Sequence, residues 1–338
     1  MRRLALFSCL LLFATAGTAG AGRSLPESWA ALQIATVVAD GLMAPSVDTF
    51  RPDDPLLQSE FAEVLTALGD PDVPAAFPDR AVTMRELDAR LVTAAGLRAE
   101  ARYIRQAALE SDLAPTQYIG TETVARMLGL RINHPRPEEQ LELQPDEPAT
   151  RAEAAYSVAR LLTISDAEIE SVRKAVDGFL PATYDTWQQQ VLSRALHFVG
   201  RPYVWAGISE RPQQLLDGKM PGGFDCSGFV WRVYKLQPFA GAPTLSGVLQ
   251  GRTTYAMSGE VPRSERIRRA NLQPGDVVFF GSRGPASKPA EVGHMGIYVG
   301  NGWFVHSSER GVALLPMTGW YGTRFAWGRR PLTEAGIE

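Results

Sequence analysis

The chain has 338 residues, of which 45% are hydrophobic and 21% are charged, and its formal net charge is −3. This length suggests two or three domains with a sizeable buried core, and the composition is that of an ordinary globular protein. The slightly acidic balance, with no basic run in the sequence, argues against a nucleic-acid-binding protein.

Residues 1–21 are predicted to be a secretory signal peptide. Arg2 and Arg3 supply its charged start, Leu4 to Ala14 its apolar stretch, and small residues end it at a cleavage site. The apolar stretch is too short to span a bilayer, and no later stretch is long enough either. We therefore expect a secreted protein associated with the cell wall or envelope, without a membrane span after cleavage. A retained N-terminal anchor is the alternative.

The region from residue 28 to residue 163 is predicted to be helical and weakly repetitive. Each copy of the repeat is a Pro-Asp turn followed by a helix that carries Glu. The copies are Phe50–Glu60, Phe77–Glu86 and Leu143–Glu153. Two of them contain a capping box, of which Thr150 with Glu153 is one. Repeats of this kind bury their apolar faces against each other.

This region resembles S-layer homology repeats, whose signature is an aromatic-x-Pro-Asp turn followed by Thr-Arg-x-Glu. Thr150–Glu153 matches that signature well, and the other two copies match in part. The resemblance implies an all-helical domain over residues 22–163 that binds cell-envelope polymers. Because residues 28–163 contain no thiol and a single histidine, we expect this domain to take no part in catalysis. A helical spacer without a ligand is the alternative. His134 is predicted to be an exposed loop residue.

A linker helix is predicted within residues 164–182, where Ser165 caps a charged segment. A second domain is predicted over residues 183–332, followed by a short tail at 333–338. This domain begins with a helix over residues 185–199.

Cys226 is the single cysteine that remains after signal cleavage, because Cys9 lies in the removed segment. A lone cysteine in an exported protein suggests either intermolecular pairing or a reactive thiol. Apolar residues at helical spacing follow it, so its sulfur is predicted to lie in the first turn of a helix. Unpaired N–H groups there favour a thiolate, so we expect a lowered thiol pKa. A packed apolar role is the alternative.

Two of the four histidines stand on predicted strands after Cys226. His294 begins one strand and His306 lies in the middle of the next. A thiol nucleophile needs a base, and the base needs a group that orients it, so both histidines are candidates. A zinc site is the alternative, but a fourth ligand is missing nearby in the sequence. We predict no metal and no cofactor.

The turn between these strands decides whether the two histidines can meet, because side chains alternate between faces along a strand. A simple two-residue Asn301–Gly302 turn places His294 and His306 on opposite faces of the sheet. A three-residue loop, or a bulge in one strand, pairs His306 with Gly296 and brings both rings to one face. The catalytic interpretation therefore requires such a loop or bulge.

The second domain resembles the NlpC-type cell-wall cysteine peptidases, a bacterial branch of the papain-like fold. The matching segments occur in the family's order and are Gly200–Trp205, Phe224–Gly228, Arg252–Thr254, Leu272–Phe279, Gly293–Gly302 and His306. The resemblance implies an α+β fold, in which an antiparallel sheet of five or six strands packs against the Cys-bearing helix and an all-α repeat domain precedes it.

The resemblance also implies a function, which is hydrolysis of the bond between γ-D-glutamate and a diamino acid in peptidoglycan stem peptides. It assigns Cys226 as the nucleophile, His294 as the base and His306 as the orienting residue. It places Tyr203 in the site near the thiol and Asp225 and Ser227 at the border of the substrate.

The sequence departs from the family in one segment, and the fold allows other functions. Residues 208–221 form an insertion relative to the family, and we expect it to be part of the cleft wall. The same fold could also support an amidase or an acyl transferase, or a non-catalytic wall-binding protein, although the last would be expected to lose Cys226 or a histidine.

Overall fold

The computed structural model describes residues 28–70 and 76–337, so the predicted signal peptide lies outside the described residues. Within them, an all-helical region precedes a region built on a sheet, which confirms the α+β fold class. The helices before the sheet are α1 Ala31–Ala39, α2 Gln58–Ala67, α3 Met84–Ala94, α4 Arg98–Glu110, α5 Ile119–Leu128, α6 Arg151–Leu162, α7 Asp166–Asp177 and α8 Thr186–His197.

The three copies of the repeat meet in a ring of backbone hydrogen bonds. The N–H of Leu56 donates to the carbonyl of Ala149, the N–H of Ala149 to that of Val82, and the N–H of Val82 to that of Leu56, each at 2.8 Å. All three residues are buried. Each lies two positions before the start of α2, α3 or α6, so the three copies occupy equivalent places. This arrangement confirms the internal repeat.

The capping boxes of the repeat differ between copies. Thr83 accepts a hydrogen bond from the N–H of Glu86, and the Glu86 carboxylate accepts from the N–H of Thr83, so that box is complete. Thr150 accepts from the N–H of Glu153, but the Glu153 carboxylate bonds the His134 ring instead, at 2.9 Å. The predicted box at α6 is therefore only half formed.

The linker helix is present as α7, with Ser165 as its cap. It packs against α4 and α5 of the helical region. The Tyr103 hydroxyl also donates to the carbonyl of Phe179, at 3.1 Å. This connection is therefore part of the packed helical region.

The main sheet has five antiparallel strands in the order β8-β7-β6-β5-β9. These strands are β5 Val277–Gly281, β6 Val292–Gly300, β7 Trp303–Ser308, β8 Gly311–Pro316 and β9 Phe325–Arg329, and they follow the short strands β1 Ile208–Ser209, β2 Gln213–Leu215, β3 Gly218–Met220 and β4 Gly223–Phe224. Helix α9, Cys226–Tyr234, packs against β6 and β7. The remaining helices are α10 Leu245–Val248, α11 Thr254–Gly259, α12 Gly319–Arg324 and α13 Pro331–Glu334.

The helical and sheet regions share one continuous hydrophobic core, which runs from α1 to the sheet. Polar contacts also cross between them. The buried Arg126 pairs with Glu122 at 2.5 Å and donates to the carbonyl of Gly200 at 2.9 Å. Arg310, in the turn between β7 and β8, donates to the carbonyl of Arg126 at 2.8 Å. The repeat region therefore packs directly on the second domain. None of the described helices is long and apolar enough to cross a bilayer.

Candidate active site

Cys226 is the first residue of α9, as the apolar spacing predicts. Asp225 caps this helix through its Oδ1 atom, which accepts a hydrogen bond from the N–H of Gly228 at 2.5 Å. The sulfur lies 3.5 Å from Oγ1 of Thr254, which begins α11. It also accepts from the backbone N–H of Met295, on β6. The thiol is therefore held between the start of α9 and the histidine-bearing strand.

The prediction that the thiol pKa is lowered is wrong. Burial of the sulfur, followed by the negative charge of Asp225, raises the pKa of Cys226 to about 11. The hydroxyl of Thr254 and the N–H groups of Ser227 and Met295 oppose this rise only in part. Because the capping carboxylate offsets the positive end of the helix, the resting thiol keeps its proton at neutral pH.

Alkylation of Cys226 by iodoacetamide should therefore have its midpoint above the reference thiol pKa of about 8.5. The folded state holds the thiol proton more tightly, and alkylation follows the thiolate fraction, so the rate should rise only as pH exceeds that reference. His294→Gln is the matched control and should shift the midpoint little. A midpoint below the reference that rises in His294→Gln would instead show a thiolate–imidazolium pair.

The two strand histidines lie on one face and contact each other. Nε2 of His294 lies 2.9 Å from Nδ1 of His306. His306 is paired with Gly296 across the β6–β7 ladder. The pairing that the catalytic interpretation requires is therefore present.

A bulge produces this pairing. The β6–β7 register shifts between Tyr298 and Gly300, and Gly300 then pairs with Trp303 across the Asn301–Gly302 turn. The three consecutive residues 300–302 have positive φ, which two glycines allow without strain. The predicted loop or bulge is confirmed, in the form of a bulge followed by a two-residue turn.

The absence of a side chain at Gly296 gives the rings room to meet. A Cβ atom there would lie 2.9 Å from Cβ of His306 and 2.7 Å from a ring carbon of Phe304. The His306 ring stacks on Phe304, with centroids 4.4 Å apart and an interplanar angle of 11°. This packing fixes the plane of the His306 ring.

The contact between the histidines uses Nε2 of His294, so Nδ1 is the ring nitrogen of His294 that takes no part in it. Burial lowers the pKa of His294 to about 4 and that of His306 well below its usual range, so both rings are neutral at pH 7. His306 is fully buried, and its Nε2 has no hydrogen-bond partner within the described part of the chain.

Cys226 and His294 line one cavity of about 460 Å³. Tyr203 and Trp205 contribute to the same cavity. Burial, followed by the nearby Cys226, raises the pKa of the Tyr203 phenol, so it stays protonated. The structure therefore brings together the predicted nucleophile, base and tyrosine.

Asp225 and Ser227 are bonded to each other and to Arg252. The Ser227 hydroxyl donates to Asp225 Oδ1 at 2.9 Å, and Ser227 is buried. Arg252 donates to the Ser227 hydroxyl at 2.7 Å and pairs with the Asp225 carboxylate at 3.2 Å. The expectation that these two residues border the substrate stays a prediction.

The insertion at residues 208–221 also lies elsewhere than expected. Its described residues are absent from the lining of the Cys226 cavity, and several of them line a separate cavity against the helical region. Asp217, between β2 and β3, pairs with Arg136 of the helical region at 2.7 Å. The insertion is therefore packed against that region.

Sequence reasoning missed two groups of residues. Arg252 and Thr254 lie in a matched motif, but nothing in their spacing showed that they contact Asp225 and the thiol. The second group is residues 132–139 of the helical region, several of which line the cavity with Cys226. Among them is His134, which is buried and not exposed as predicted. No sequence pattern indicated this group.

Across residues 28–70 and 76–337, no three or more His, Cys, Asp or Glu side chains are grouped so that they could hold a metal ion.

Residues 200–330 match the model of the NlpC/P60 family. The chain is 30% identical over 144 residues to the murein DD-endopeptidase MepH of Escherichia coli, a match that covers 41% of this chain and 45% of that protein. It is 35% identical over 139 residues to a γ-D-glutamyl-L-lysine dipeptidyl-peptidase of Bacillus cereus, covering 40% of this chain and 34% of that protein.

A bifunctional muramidase/DL-endopeptidase of Bacillus subtilis, CwlT, is 29% identical over 156 residues, covering 46% of this chain and 37% of that protein. A solved NlpC/P60 family protein from Bacillus cereus covers 43% of this chain and 40% of that chain, at 27% identity with a TM-score of 0.32. The chain thus spans less than half the length of these relatives. The S-layer resemblance of the repeat region stays a prediction.

Proposed function

We propose that the NlpC/P60 domain at residues 200–330 makes this chain a secreted peptidoglycan hydrolase. Its substrate is the bond between γ-D-glutamate and a diamino acid in stem peptides. The observation that carries the proposal is the shared cavity of Cys226 and His294, with His294 bonded to His306 at 2.9 Å. A nucleophile, a base and an orienting group in this order are what acyl transfer from an amide requires.

In the proposed reaction, Nδ1 of neutral His294 takes the proton of the Cys226 thiol as the sulfur attacks the γ-glutamyl carbonyl. The resulting imidazolium then protonates the departing amine, and the acyl group stays on the sulfur. Water, deprotonated by the same histidine, releases the peptide acid and restores the thiol. Because the resting thiol is protonated, the base acts during the attack and not before it.

Two further groups support the transition state. The N–H of Cys226, at the first position of α9, has no intrahelical acceptor and can donate to the oxyanion. His306 accepts the Nε2 proton of His294 and so holds the tautomer with Nδ1 free to act as the base. Tyr203 contributes a protonated phenol to the wall beside the thiol.

The names of the relatives support a peptidoglycan peptide as substrate, but they differ in the bond that is cleaved. They describe a DD-endopeptidase, a DL-endopeptidase and a dipeptidyl-peptidase that acts on γ-D-glutamyl-L-lysine. The γ-glutamyl bond is the one we assign to this chain. An amidase acting on the N-acetylmuramoyl–L-alanine bond, or an acyl transferase, is the second candidate for the same fold.

Digestion of purified peptidoglycan, with mass analysis of the fragments, tests this assignment. Release of L-Ala–D-Glu ends and free diamino-acid amines supports it. Opening of D,D cross-links, or separation of L-alanine from N-acetylmuramate, would assign another bond. Cys226→Ala is the control for contaminating hydrolases. Lack of any cleavage by the intact enzyme, of peptidoglycan and of free stem peptides alike, would favour a non-catalytic wall-binding protein.

We also propose that the repeat region binds a cell-envelope polymer. The equivalent packing of the three copies supports a repeated binding surface, and the partial S-layer signature indicates the class of ligand. The test is sedimentation of the Cys226→Ala chain with cell walls before and after chemical removal of their secondary polymers. Equal sedimentation with both preparations would make the region a spacer.

A further inference from the structure

One stretch of the helical region crosses the mouth of the candidate active site. We call Ile132–Glu139 the crossing segment. The N–H of Asn133 donates to the carbonyl of Glu309 at 2.7 Å, and its side-chain Nδ2 donates to the carbonyl of Tyr203 at 2.8 Å. Glu309 lies in the turn between β7 and β8, whereas Tyr203 lies in the loop that precedes the Cys-bearing helix. A single residue therefore ties together the two sides of the cavity.

The far end of the crossing segment is tied to the Tyr203 side as well. Both oxygens of the Glu139 carboxylate lie 3.1 Å from the N–H of Trp205, and Glu139 is buried. The Arg136 guanidinium lies over the Trp205 ring, 5.0 Å from its centroid, and pairs with Asp217 at 2.7 Å. These contacts bring the exposed Trp205 indole, the crossing segment and the insertion together.

The crossing segment is also held by buried residues of the helical region, on its side away from the cavity walls. The His134 ring bonds the Glu153 carboxylate at 2.9 Å, and the N–H of His134 donates to Glu142 at 2.5 Å. His134, Glu142 and Glu153 are all buried. A segment held by buried polar groups on one side and by hydrogen bonds to both cavity walls on the other is a rigid barrier.

We infer that the crossing segment closes one end of the Cys226 cleft, so that a bound peptide has to end there. This inference rests on the proposed function. The cavity of about 460 Å³ falls in the size range of small-molecule sites, which suits a few residues of peptide and not a continuing polymer. The enzyme therefore selects stem peptides that have a free end near the scissile bond over the same peptides extended past the crossing segment.

The selection is steric, because an extended chain would have to displace Asn133 or Arg136 from their bonds. Wild-type kcat/KM should be measured on a free L-Ala–γ-D-Glu–diamino acid peptide, on its N-acylated form and on its C-terminally extended form. We expect one of the two extensions to lower kcat/KM by roughly tenfold or more, because a clash in a closed site excludes the longer ligand.

The variant that tests the role of the crossing segment is Asn133→Ala combined with Arg136→Ala. It removes the side-chain ties to Tyr203, Trp205 and Asp217, so the preference for the free peptide should fall by roughly fivefold or more. The matched control is Arg80→Ala, which removes another exposed arginine of the helical region that pairs with a carboxylate at 2.7 Å. The control should keep the wild-type preference.

Equal wild-type rates on the free peptide and on both extended peptides would overturn the inference, even if the double variant does not fold. A folded double variant with an unchanged preference would overturn it as well. Failure of the proposed function looks different, since the wild-type enzyme would then cut none of the three peptides or would cut another bond.

Discussion

Cys226→Ala and His294→Ala should each abolish peptidoglycan hydrolysis, lowering kcat by about 10⁴–10⁶-fold. Without the sulfur no acyl-enzyme can form, and without the imidazole the protonated thiol, with its pKa near 11, has no base to take its proton. The double variant should lower kcat little more than either single change does, because the two side chains act as a unit. Release of soluble peptide from purified walls measures the effect.

The matched control for the histidine change is His197→Ala. His197 is an exposed residue at the end of α8, so its removal should leave hydrolysis near the wild-type rate. Both active-site variants should keep the circular dichroism spectrum and melting temperature of a folded protein. Near-normal turnover in either one would refute its assigned role.

His306→Ala should lower kcat by about 10²-fold, a smaller loss than removal of His294. Without an acceptor for its Nε2 proton, His294 loses the preference for the tautomer that leaves Nδ1 able to accept the thiol proton. A neutral imidazole stabilises the intermediate imidazolium less than the carboxylate of a serine-protease triad does. Removal of His306 should therefore lower kcat less than removal of such a carboxylate does.

Because His306 is fully buried, its truncation could also act through packing. His306→Gln and His306→Leu separate the two effects. Glutamine can accept the proton of His294 and should restore part of the rate, whereas leucine fills similar space without an acceptor and should not. Equal activity of these two variants, at similar melting temperatures, would reduce His306 to a packing residue.

Much of the active site could be predicted from the sequence because its signals are local. The helix start at Cys226 follows from apolar spacing. The bulge before Asn301 follows from strand parity, once both histidines are required on one face. The repeats follow from three similar turn-and-cap segments. Each of these signals depends only on residues close together in the chain.

The interpretations that failed all depended on distant neighbours. His134 stands in a polar, proline-containing stretch, so it was predicted to be exposed, but Glu153 and Glu142 pair with it in the interior. Asp225 and Ser227 are bonded to Arg252, a contact that the sequence did not indicate. Nothing in the sequence near these residues identifies the partner.

The sequence alone determined the order of the main elements and the helical repeats, because periodicity and caps are properties of neighbouring residues. It also singled out Cys226, His294 and His306 as the candidate catalytic residues. Only the tertiary structure decided the protonation state of the thiol, since desolvation of the sulfur depends on the segments that pack around Cys226. Tertiary structure also decided that the crossing segment forms part of the cleft. That contact joins Asn133 to Tyr203 and Glu309, which lie far along the chain, and only the shared core of the two regions brings them within hydrogen-bond distance.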